Sequence, residues 1–283
     1  MKNFIKLALL FLTILFTLNV SAYEENTQNQ SSFLGGDFTG WLEFGNERMF
    51  RGNSETQNSD ILSLQGLLTW THADTGLYVG YWAATNKFDI APDIYAESGP
   101  YIGKLGTTEI SGVDFNYNVF VWHYIYHEDG KGQPNYTELW FTANKDVTEN
   151  LNIYVEFTHT LDAWFGTKDA KGTSGNGDPV YGYATAITPT YQLGNDWSIN
   201  ATLGYQAFNK PQFVAVGDWM YANVGVVKVF PGGWKASLSY HDTNVHNDVD
   251  TSDIWQSHVV GPSAHVDSRP SAMQSDDESE GFG

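Results

Sequence analysis

From Thr39 onward the chain breaks into about twelve short segments in which apolar and polar side chains alternate at every second position. Successive side chains of a strand point to opposite faces, so each segment carries one apolar and one polar face. Leu151-Asn-Ile-Tyr-Val-Glu-Phe-Thr-His-Thr-Leu161 is the cleanest. Its odd positions read Leu, Ile, Val, Phe, His, Leu, and its even positions Asn, Tyr, Glu, Thr, Thr. A soluble β-sandwich shows the same alternation. The number of segments, their length near the ~9–11 residues that cross a bilayer, and the aromatic residues at their ends point instead to a transmembrane barrel.

The joints between segments sort by parity. With the first strand read as 39–52 and the last as 254–266, the even-numbered joints are short: 73–76, 105–112, 144–150, 194–196 and 231–233. The odd-numbered joints include the longer stretches 127–135, 162–179, 208–218 and 241–253. Short turns at one end and long loops at the other are the organisation of an outer-membrane barrel with both termini on the periplasmic side. Trp70, Tyr126, Trp140, Trp197, Trp219 and Trp234 fall near strand ends, where interfacial aromatic girdles are expected.

The ends of the chain read differently. Lys2 and Lys6 precede an apolar run over 7–18, and Val20-Ser21-Ala22 follows it, so residues 1–22 read as a secretory signal peptide cut after Ala22. Residues 23–37 are expected to be flexible, 38–266 to form the barrel, and 267–283, with Asp276-Asp-Glu-Ser-Glu280, to be an acidic disordered tail. A formal net charge of -19 excludes nucleic acid as a partner. The absence of Cys excludes a disulfide framework and thiol chemistry.

Charged residues within the strands are the candidates for function. Arg48 and Arg51 fall on the first segment among Glu43, Glu47 and Glu55; Arg51 shares the parity of the three Glu, and Arg48 lies on the other face. Together with Glu97, Asp114, Glu138 and Glu156 they are the expected pore lining, and the acidic surplus predicts a mild cation preference. An ion-pair network that only stiffens the wall is the alternative. His241, Asp242, His246, Asp248, Asp250 and His258 match no closed ligand set, so they read as a solvated loop and no metal or cofactor is expected. Lipid hydrolysis would need a Ser, a His and a third polar group together on the outer wall. No His here is followed by Ser at strand spacing, and no enzyme is expected.

The order of motifs also resembles the TorF-type porin family. Phe50-Arg51-Gly52-Asn53-Ser54-Glu55-Thr56 is followed by Gln65-Gly66, His72 and Gly76-Leu-Tyr78-Val-Gly80-Tyr-Trp82. Tyr136-Thr-Glu-Leu139, Leu193-Gly-Asn-Asp-Trp-Ser198, Gly204-Tyr205 and Gly232-Gly-Trp234 continue the likeness. The resemblance implies a small outer-membrane β-barrel with porin activity and no catalytic residues. Glu55 stands where that family has Gln, and Pro262 interrupts the closing strand.

The expected protein is therefore all-β: an antiparallel, up-and-down transmembrane β-barrel of about twelve strands in the outer membrane of a Gram-negative bacterium. It would contact membrane lipid and pass small hydrophilic solutes or ions by passive diffusion. General porins have about 16–18 strands, so this barrel would be narrow, and Trp122, Tyr124 and Tyr154 would fill much of it. That leaves a non-conducting barrel, an adhesin or structural envelope protein, as the alternative. A secreted carbohydrate-binding sandwich is the remaining one.

Overall fold

The computed structural model describes residues 33–56, 61–88, 94–128, 134–169, 177–214, 217–244 and, as backbone, 254–260. Among these the chain is almost entirely strand. The elements are β1 (Gly36–Gly45), β2 (Met49–Phe50), β3 (Asn53–Ser54), β4 (Ser63–His72), β5 (Leu77–Thr85), β6 (Ile94–Ile110) and β7 (Val113–Glu128). They continue with β8 (Tyr136–Thr148), β9 (Leu151–Thr160), β10 (Gly182–Gly194), β11 (Trp197–Phe208), β12 (Trp219–Val229), β13 (Lys235–Thr243) and β14 (Ile254–Val260). Twelve of them close into one antiparallel barrel in the order β1-β14-β13-β12-β11-β10-β9-β8-β7-β6-β5-β4. Every barrel strand thus pairs with its neighbours along the chain except across β2 and β3, which pair only with each other. The seam joins β1 to β14 through Glu43↔Val260, Phe44↔Val259 and Gly45↔His258. Closure gives each barrel strand a partner on both sides, which a sheet in hydrocarbon requires.

The parity of the joints is as the sequence predicts, and the short end is built from turns whose chemistry is legible. Ser111-Gly112 joins β6 to β7 with φ of 55° and 78°, and Asn195-Asp196 joins β10 to β11 with φ of 51° and 59°. Two successive positive φ values make the tight hairpin turn that matches strand twist. Two joints are shorter than the sequence implied. Residues 105–110 extend β6 and residues 144–148 extend β8, because Leu105↔Asn118 and Asn144↔Asn116 continue the ladder through polar residues that read as loop.

The faces separate cleanly. Phe38, Phe44, Val79, Ile102, Val119, Phe141, Val155, Phe157, Leu203, Val224 and Leu238 are exposed on the outward parity of their strands. The inward parity buries Trp41, Thr69, Tyr78, Trp82, Tyr101, Asn118, Trp122, Glu138, Thr158 and Gln206. An apolar exterior around a polar and aromatic interior inverts a soluble protein and suits a lipid surround. The aromatic girdle needs correction. Trp197 and Trp234 are exposed near the short-turn end, but Tyr126, Trp140 and Trp219 are buried on the inward face. Proximity to a strand end does not say which face a ring occupies; parity does.

The first strand also differs from expectation. It leaves the barrel wall after Gly45 rather than at residue 52, and the chain turns inward to form β2 and β3. The cleavage site after Ala22, the acidic tail, His246, Asp248, Asp250 and Pro262 lie outside the described residues.

Candidate functional site

The segment after β1 is a hairpin folded into the barrel. Its tip is Arg51-Gly52, with φ of 50° and 79°, again the turn that needs two left-handed residues. Asn-Gly is the ordinary choice there, so Arg51 holds its conformation against its own preference. The surroundings supply the compensation. Arg51 donates from Nη1 to Glu138 Oε1 at 3.0 Å and to Gln206 Oε1 at 2.8 Å. Its Nη2 donates to Glu138 Oε2 at 3.1 Å and to Thr158 Oγ1 at 2.8 Å. The Trp219 indole N–H donates to the Arg51 carbonyl at 2.8 Å. One residue of the first loop therefore grips β8, β9, β11 and β12. The tip glycine fits closely as well: a Cβ on Gly52 would stand 2.6 Å from Tyr221 Cβ and 3.1 Å from Thr243 Cβ.

A second knot holds the base of the hairpin. Arg48 pairs with Glu55 on the returning arm and, at 2.8 Å, with Glu97 Oε2 on β6. Asn86 Nδ2 donates to the same Glu97 oxygen at 2.8 Å. Glu47, fully buried, accepts from Ser54 Oγ at 2.7 Å, from the Arg48 amide at 3.2 Å and from the Thr56 hydroxyl. Bidentate and fork-like pairing of this kind exploits the planar guanidinium. Both guanidinia also lie over rings: Arg48 over Trp82 at 5.2 Å, and Arg51 over Phe50 at 4.5 Å and Trp140 at 5.3 Å.

The loop between β9 and β10 contributes a cap. Trp164 and Phe165 turn inward, with Trp164 centred 5.0 Å from Tyr136 and 5.5 Å from Phe208, and Phe165 4.6 Å from Tyr126. The same loop is tied down by Asp169. Its carboxylate accepts from the Asp178 amide at 2.7 Å, from the Gly177 amide and from Lys210 Nζ at 2.6 Å. The Lys210 hydrogen bond, helped by the two amides, holds the Asp169 carboxyl below its usual range, and Asp169 in turn raises Lys210.

Four of the six sequence-predicted residues, Arg48, Arg51, Glu97 and Glu138, converge on this hairpin. Arg48 needs correction: it is as buried as Arg51 and pairs as fully, because both sit on the inward hairpin and not on opposite faces of a wall strand. Glu156 lies lower on the inward face of β9, where Tyr154 Oη donates to it at 3.3 Å. Asp114 stands apart, exposed beside the Ser111-Gly112 turn and paired across the ladder with Glu109. Thr158, Gln206 and Asn86 carry no charge that marks them as site residues in the sequence, and Trp219, expected in the interfacial girdle, joins them here. Each is a neutral residue on an inward parity; the hairpin gives Thr158, Gln206 and Trp219 their partner in Arg51, and Asn86 donates to Glu97 beside it. His241 contacts Ser239 Oγ at 2.9 Å, and the described residues contain no group of three or more acidic, His or Cys side chains placed to hold a metal.

Comparison with known proteins adds a family and a fold. A family model described as "Bacterial protein of unknown function (Gcw_chp)" matches residues 32–266. No curated protein matches the chain. Among solved structures, the NanC porin is similar at 9% identity over 78% of this chain and 97% of that chain, with a TM-score of 0.52. KdgM porin in complex with disordered oligogalacturonate matches at 9% identity over 80% of this chain and 98% of that chain, with a TM-score of 0.48. At such identity the likeness is one of fold alone.

Proposed function

We propose that this chain, which belongs to the Gcw_chp family of bacterial proteins, is an outer-membrane channel for passive diffusion of small hydrophilic solutes. The observation that carries the reading is the closed barrel with an apolar exterior and a polar interior, narrowed from within by the β2–β3 hairpin. The likeness in fold to the NanC porin supports the barrel on which the reading rests. The finer assignment to the TorF-type porins rests on the ordered motifs, of which Phe50-Arg51-Gly52-Asn53-Ser54 is the hairpin itself.

The pore lining would be the hairpin and the inward faces it touches. Glu43, Glu47, Glu55, Glu97, Glu138 and Glu156 outnumber Arg48, Arg51 and Lys235 there, and both arginines are committed to carboxylates. An acidic lumen concentrates cations and repels anions, which gives a mild cation preference. A second reading, a non-conducting barrel whose outer loops serve as an adhesive or structural surface, is favoured by the dense burial of the hairpin. Single-channel recording in a planar bilayer under a salt gradient separates the two. Reproducible steps with a cation-selective reversal potential are expected. Silence from folded, inserted protein would leave the second reading standing.

A further inference from the structure

Between β10 and β13 the inward face changes from inaccessible to accessible at one level of the barrel. On β10 Ala184 and Ala186 are buried, while Thr188 and Thr190, nearer the short turns, are partly open. On β11 Gly204 and Gln206 are buried, while Thr202 and Asn200 are partly open. The next strands repeat the step, with Tyr221 buried above Asn223 on β12 and His241 above Ser239 on β13. Ladder pairing sets Ala186 beside Gly204 and Gly204 beside Tyr221, so the step runs across the wall. Along these strands the lumen is a polar cup, open toward the short turns and covered at its other end.

The cover is the hairpin tip together with Trp164. Arg51 donates to Gln206, and Gly52 lies against Tyr221. Trp164 lies against Phe208 and against Gly182, where a Cβ would stand 3.2 Å from the indole. The Arg51 guanidinium is 5.8 Å from the Trp164 ring centre, so tip and wedge form one body. Three features suit that body to move. β2 and β3 pair with each other and with no wall strand, so lifting them breaks no barrel ladder. Arg51 and Phe165, both bulky, hold φ of 50° beside glycines at 79° and 66°, a conformation that persists only while the surroundings enforce it. The ties to Glu97 and Glu138 are buried ion pairs, and the hydration that such charges give up on docking offsets much of their attraction.

We propose that this is the closed state of a gated channel: the hairpin tip and the Trp164 wedge shut the path along β10 to β13, and solutes pass when both lift from Gln206 and Tyr221. The proposal rests on the channel reading. The chain has no Cys, so a single introduced cysteine is a unique reporter. Thr202→Cys lies in the cup and Ala186→Cys under the cover. Each is placed in lipid vesicles and titrated with a membrane-impermeant cationic thiosulfonate, alone and combined with Arg51→Ala or Trp164→Ala, alongside KCl recording in planar bilayers. Heat-modifiable gel mobility shows which variants have formed the barrel, and if Arg51→Ala has not, Trp164→Ala carries the test. In the otherwise native chain Thr202→Cys is expected to react severalfold faster than Ala186→Cys. Either opening substitution should bring Ala186→Cys close to the Thr202→Cys rate and raise the open time in KCl severalfold. Equal rates in the otherwise native chain overturn the closed cup. Slow reaction of Ala186→Cys in every folded variant overturns the hairpin and wedge as the gate and leaves the channel intact. The expected thiol pattern without KCl current from any inserted variant overturns the channel reading, and the gate with it.

Discussion

Arg51 and Glu138 meet as a two-point ion pair across the lumen, at 3.0 and 3.1 Å, although 87 residues separate them in the chain. Both side chains are almost fully buried. Removing one member of such a pair leaves the other charge uncompensated, at a cost of about 3–5 kcal/mol. Arg51→Ala is therefore expected to undock the hairpin tip from β8 and widen the path. Single-channel conductance should rise, and Glu138→Gln should raise it similarly. Unchanged conductance in both variants would mean that the hairpin does not limit permeation.

Gly52 provides an independent route to the same end. Its φ of +79° disfavours any other residue, and an added Cβ would stand 2.6 Å from Tyr221 Cβ. Gly52→Val leaves the Arg51 guanidinium in place but denies the tip its seat. Conductance should rise as for Arg51→Ala, with the barrel still heat-resistant in gel-shift assays because no wall residue has changed. A variant that fails to form the barrel at all would show the hairpin to be part of the folding core.

The wall was legible in the sequence and the hairpin was not, for a physical reason. Barrel strands advertise themselves by a period of two and by turn chemistry, so Leu151–Thr160 and the Asn195-Asp196 turn could be read directly. A hairpin folded inside the barrel is also extended backbone and keeps the same period, so residues 46–52 read as a continuation of β1. The one local signal for it is Arg51-Gly52, a pair inside the family-like motif, and Arg is not a usual left-handed turn residue. The partners of Arg51 were harder still. Thr158 and Gln206 are ordinary inward residues, and the distance in sequence hides that one guanidinium reaches both.

The loop latch at Asp169 should respond to acid. Lys210 and the Gly177 and Asp178 amides hold the Asp169 carboxyl below its unfolded value. A depressed carboxylate contributes stability that is present above the unfolded pKa and is lost as pH falls through the folded one. The latch should thus be intact at neutral pH and release only below the ordinary Asp range of about 4. Hydrogen exchange at the Gly177 and Asp178 amides is the measurement. Protection should fall on acidification in the native chain and be low at every pH in Asp169→Ala.

Leu203 and Thr202 are neighbours on β11 with opposite fates, Leu203 outward and about half exposed, Thr202 inward against Thr188. In a bilayer the outward position faces hydrocarbon, where Arg costs about 2–4 kcal/mol near the midplane. The inward position faces the lumen, where a charge keeps company with water and polar walls. Leu203→Arg should lower folding stability in lipid vesicles by that order, and Thr202→Arg much less, while Thr202→Arg alone should shift the reversal potential toward anions. In a soluble sandwich the order would invert, since Leu203 would be a surface position and Thr202 a core one. Denaturant titration of the two variants in vesicles therefore tests the assignment of inside and outside on which every reading of the lumen depends.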